Sequence, residues 1–116
     1  MNQNGRSRVF VTQENTSLNY TTAEQFGDIT FMSRDDYSPI KNSLSNEKLL
    51  AELQRHLKSF DIERDYIVVT GSPIVAAAVF LLLGRFGYAH RVNVLRWSNR
   101  DHTYQPITID ITGVNS

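Results

Sequence analysis

The chain has 116 residues, 41% of them hydrophobic and 21% charged, which bounds it to one domain around one modest core. Twelve Lys and Arg balance twelve Asp and Glu, so the excess positive charge on which broad nucleic-acid binding draws is absent. The chain has no cysteine, which excludes disulfides and thiolate metal sites and is compatible with a reducing compartment.

Residues 1–8 read as a flexible polar tail without the apolar stretch of a secretory signal, and residues 9–112 as a single α/β domain. Val9-Phe10-Val11 is a short β-type run. Thr21 or Thr22 caps a short helical turn through Phe26, stopped by Gly27. Ile29 to Met32 is a second strand, and Ser33 to Asn42 a charged loop. Ser43 or Ser45 caps a helix whose Leu49, Leu50, Leu53, Leu57 and Phe60 recur on one face.

The stretch from Asp65 to Leu83, DYIVVTGSPIVAAAVFLLL, fixes the fold class. A β-branched run reaches Thr70-Gly71-Ser72-Pro73, and an unbroken apolar run follows: a buried strand, a tight turn and a buried helix with proline at its first position. That helix is expected to be the most buried, with Ala76, Ala77 and Val79 against packed neighbours. The apolar run Ile74 to Leu83 is ten residues, about half of the roughly 20 a membrane span needs. We therefore expect a soluble protein with no membrane partner. Arg91 to Trp97 is the fourth strand. Ile107, Ile109 and Ile111 alternate with polar residues in a fifth, where Pro106 favours an edge. The short connector between them implies a hairpin. The order predicts a small three-layer Rossmann-like fold: a mostly parallel sheet of about five strands, an antiparallel C-terminal edge strand, and one helix on each face.

In such sheets ligands bind beyond the carboxyl ends of the parallel strands. Those ends carry Gln13, Glu14 and Asn15; Ser33, Arg34, Asp35 and Asp36; Thr70, Gly71 and Ser72; and Ser98 to His102. The strongest element is the turn Thr70-Gly71-Ser72, a helix N-terminus whose N–H groups suit phosphate or carboxylate, with Arg34 or Arg100 reaching the anion. It matches neither the P-loop nor the dinucleotide fingerprint, and a serine cap before proline is common without any ligand. His102 with Asp101, Arg100 and Glu14 has the residue types of an acid–base group; a solvated loop is the plainer reading. His56, among charges on the first long helix, reads as boundary packing. The three histidines lack metal-ligand spacing, and Arg34-Asp35-Asp36 lacks a clustered carboxylate set, so neither a metal nor another cofactor is expected. Trp97 and Tyr104 flank the last hairpin, either paired across it or forming part of a partner surface. The ligand candidates are thus Thr70, Gly71, Ser72, Arg34, Glu14, Asn15, Arg100 and His102.

DYIVVTGSP, the Ala-rich helix after it, and the ending L-R-W-x-x-R-x-x-x-Y-x-P-I-x-I-D from Leu95 to Asp110 resemble a family of small tailed-bacteriophage proteins. The N-terminal VFVTQENTSLNYTTAEQFGDITF is similar to the same group. The resemblance covers most of the chain and supplies no catalytic residues. It implies a phage product acting in the host bacterial cytoplasm or packaged in the virion. Three functions follow, in order of preference. The first is a non-enzymatic protein that binds or modulates a host or phage protein, through an exposed aromatic surface or an edge strand. The second is a nucleotide-binding or nucleotide-cleaving domain. The third is a minor virion or oligomeric structural protein.

Overall fold

The computed structural model describes residues 6–87 and 90–113, so most of the expected tail, residues 1–5, lies outside the described residues. Its elements are β1 (Arg8–Val11), a 3-10 helix (Thr21–Phe26), β2 (Asp28–Phe31), α1 (Leu44–Leu57), β3 (Tyr66–Val68), α2 (Pro73–Arg85), β4 (Arg91–Ser98) and β5 (Thr103–Asp110). They form one five-stranded sheet in the order β2-β1-β3-β4-β5. The first four strands are parallel, and β5 runs antiparallel to β4 at the edge. The predicted α/β class, mostly parallel sheet and antiparallel C-terminal edge are all present.

The layers are distributed differently from expectation. Alternate strand residues point to opposite faces. Phe10 and Ile67, with Met32 at the end of β2, pack with Leu53 and Leu57 of α1 and Val75, Val79 and Leu83 of α2 in one core. Val9, Val11, Val68 and Leu95 pack on the other face with Ala23, Tyr20 and Phe26. Both long helices therefore share one face, and the 3-10 segment alone covers the other. The reason is the strand order. Right-handed crossovers place a connection on a face set by the direction of travel across the sheet. The steps β2 to β3 and β3 to β4 go the same way, whereas β1 to β2 goes back.

The 3-10 helix has Tyr20 at its N-cap without a side-chain cap bond, and Asn19 Oδ1 accepts from Thr21 N at 2.8 Å, so neither Thr21 nor Thr22 caps it. Its aromatics pack edge-on: Tyr20 against Phe31 and Phe26 against Tyr66. At the opposite end of the sheet the buried Asp65 accepts from the N–H groups of Arg8 and Asp61, both at 2.8 Å, locking β1 to the turn before β3.

α2 buries Val75, Ala76, Val79, Leu82 and Leu83, against three residues buried by α1. Ala77, expected to be packed, is exposed, because α2 has the sheet on one side only. Its outer stripe is Ile74, Ala77 and Leu81, with Ile74 59% and Leu81 76% exposed. β5 is blunted as an edge. Ile111 N donates to His90 O, so by the antiparallel alternation Pro106 turns its nitrogen outward and interrupts the free row of donors.

Candidate functional site

The strand order reverses between β1 and β3, so a ligand crevice belongs between the loops that leave them. That crevice is filled by the chain itself. Ser72 caps α2 as its sequence pattern predicts, its Oγ accepting from the N–H groups of Ile74 at 3.1 Å and Val75 at 3.4 Å. Ser72 N donates to Gln13 Oε1 at 2.6 Å. The carboxamide of Gln13 thus occupies the position a phosphate oxygen would take at this helix end. Gly71 has φ of 76°, and a Cβ there would overlap the Gln13 side-chain oxygen, so glycine is required by both conformation and space.

Hydroxyls tie the two loops further. Thr70 Oγ1 donates to Gln13 O at 2.7 Å and lies 2.9 Å from the Tyr20 hydroxyl, while Thr12 Oγ1 donates to Thr70 O at 3.1 Å. Asn15 N donates to the Tyr20 hydroxyl at 3.1 Å. Thr70, Gly71, Ser72 and Asn15 are thus brought together around Gln13 and Tyr20.

The remaining candidates separate. Arg34 Nε pairs with Glu14 Oε1 at 2.7 Å, which neutralises the arginine proposed to reach an anion. The Asp101 carboxylate accepts from Gln105 Nε2 at 2.8 Å. His102 sits at φ of 52° in the β4–β5 turn, its ring 6.5 Å from that of Trp97. No contact among the described residues links Glu14 to His102 or Arg100, and none gathers three His, Asp or Glu into a metal-holding set. His56 is half-buried beside Arg34, Asp35, Glu52 and Arg55. Its pKa is lowered by burial and then by the Arg55 charge.

Trp97 and Tyr104 are cross-strand partners with ring centroids 5.3 Å apart. Tyr104 is buried, which raises its phenol pKa, and Trp97 is 40% exposed. Together with Thr70 they line a cleft of about 640 Å³ at the carboxyl ends of β3 and β4. Its other walls, among them Leu18, Val69, Arg96, Ile107 and Ile109, were not identifiable as site residues from the sequence. The period-2 pattern marks the isoleucines only as one strand face. The overshoot of β4 past β3, which opens the cleft, has no local signal.

The fold and crevice define a small doubly wound α/β domain in which the N-terminal N–H groups of α2 are taken by the chain's own side chains. Over residues 7–111 the chain matches the family described as Phage Pam3 gp32-like protein, and it belongs to that family. No curated protein and no solved structure matches it. No helix of the described residues is long and apolar enough to cross a membrane.

Proposed function

We propose that this phage protein is a non-enzymatic interaction protein that binds or modulates another protein, of host or phage origin, through the outer face of α2. The observation that carries this reading is the stripe Ile74-Ala77-Leu81. A helix lying on a protein surface normally turns polar residues outward. α2 has no charged residue before Arg85, and its outward side chains from Ile74 to Leu81 are apolar for about two turns. Exposed apolar patches of this kind mark surfaces that are covered in the working state. Phe80 and Ile111 continue the patch into a shallow hollow towards the β5 edge.

The self-satisfied N-terminus of α2 favours this reading over nucleotide binding or cleavage, since Gln13 and Ser72 already take the N–H groups a phosphate would need. The outward Pro106 favours a side-chain contact over strand addition at β5. Action in the host cytoplasm follows if the partner is a host protein; a place in the virion follows if the stripe packs against other copies. Affinity capture from host and infected-cell lysates tests the reading, with the wild-type chain and Leu81→Glu run in parallel. The expected result is a defined protein retained by the wild type and lost with the variant. Equal recovery by both overturns the assignment to α2. Sedimentation over a range of concentrations separates a foreign partner from self-association.

A further inference from the structure

β4 is paired to β3 only at Val94 and Leu95, yet it continues through Arg96, Trp97 and Ser98 while still paired to β5. The sheet therefore opens into a cleft at that last pairing, and its lining also takes in Val94, Leu95, Ile107 and Ile109. Val69 and Thr70 stand on the β3 side and Arg96 and Trp97 on the β4 side, and Leu18 closes the end. Its volume of about 640 Å³ lies within the range of small-molecule sites, roughly 300–1,000 Å³. It also lies at the carboxyl ends of parallel strands, where open α/β sheets bind ligands.

The chemistry of the walls narrows the ligand. Val69 and Leu18, each 44% exposed, and the face of Trp97 offer apolar contact. Two polar atoms of the cleft wall are already committed: Trp97 Nε1 donates to Asn99 Oδ1 at 2.9 Å, and Thr70 Oγ1 is held by Gln13 and Tyr20. Arg96 is the one charged side chain among the described lining residues, and no carboxylate among the described residues pairs with it. We propose that this cleft binds a small, flat, largely apolar molecule carrying a single anionic group, with Trp97 and Val69 against its body and Arg96 as its counter-ion. A nucleotide with several phosphates fits this cleft poorly, because Arg96 is the one cation among its described lining residues.

The test uses Trp97, the only tryptophan of the chain, as the reporter. The intact protein is titrated with 1-anilinonaphthalene-8-sulfonate, an aromatic anion, and with N-phenyl-1-naphthylamine, its uncharged counterpart, following Trp97 quenching and energy transfer. Both dyes are expected to bind saturably at one site. Arg96→Met keeps an apolar stem and removes the charge, so it is expected to weaken the sulfonate by about tenfold and leave the amine unchanged, as for the loss of one charge-assisted contact. Val69→Asp is expected to weaken both dyes. Circular dichroism and urea midpoints confirm that each variant is folded. No saturable quenching with either dye overturns the proposal. So does sulfonate binding that Arg96→Met and Val69→Asp leave intact, which would place the dye on the α2 stripe. Equal loss of both dyes in Arg96→Met overturns the assignment of Arg96 as counter-ion.

Discussion

Gln13 Oε1 lies 2.6 Å from the backbone nitrogen of Ser72, across 59 positions of sequence, and this one contact fills the crevice between the loops that leave β1 and β3. It also explains Gly71, since any side chain there meets Gln13. Gly71→Ala is expected to destabilise the chain by about 1–3 kcal/mol, from the left-handed conformation and the overlap together. Gln13→Ala is expected to cost about 1 kcal/mol by orphaning Ser72 N. Because the overlap disappears with the Gln13 side chain, the double variant should cost less than the two added, a coupling that urea unfolding measures.

The two helix caps make a contrast within one molecule. Ser72 accepts two backbone N–H groups, and Ser72→Ala is expected to cost about 1 kcal/mol. Ser43 stands at the same position of α1 but makes no cap bond, its hydroxyl lying 2.7 Å from that of Ser45. Ser43→Ala should therefore shift the urea midpoint much less than Ser72→Ala.

Leu53 and Leu81 separate the core from the proposed contact face. Leu53 is fully buried, and Leu53→Ala is expected to cost about 2–5 kcal/mol. Leu81→Glu on the isolated chain should stay within about 0.5 kcal/mol of wild type, because its side chain stands in solvent. A large loss of stability at Leu81 in dilute solution would mean that the stripe is already covered by part of this chain.

His56 gives the pH dependence. Burial and the neighbouring Arg55 lower its pKa in the folded state, so the unfolded chain holds the proton more tightly. The stabilising contribution is full above the unfolded value near 6.5 and is lost as pH falls through the folded value. Urea midpoints between pH 7.5 and 5 should decline less steeply in His56→Gln than in wild type. Parallel curves for the two proteins would refute this.

The alternation of apolar runs with Gly-, Ser- and Pro-marked turns made the element order legible, and the Ser72-Pro73 pair located the start of α2. The face on which each helix lies was not legible. It depends on β1 having β2 on one side and β3 on the other, a neighbour relation with no local trace. Ala77 reads as buried for a separate reason: an unbroken apolar run carries no mark of which side meets the sheet and which stands clear of it. Trp97 and Tyr104 could be paired from the hairpin, but the cleft beside them could not be seen. It arises because β3 stops at Val68 while β4 runs on to Ser98. In the sequence Gln13 reads only as a rim residue, because a carboxamide that plugs a helix end is a long-range relation between two loops.

The position of β1 has a consequence for biosynthesis. β1 is made before both of the strands that flank it, with Val11 paired to Phe31 and to Val68. At about 5–20 residues per second of translation, the 57 residues separating Val11 from Val68 take roughly 3 to 11 s to make. For that interval the nascent chain carries the apolar Val9-Phe10-Val11 without its inner partner. It is expected to engage a ribosome-associated chaperone until the second half of the chain arrives.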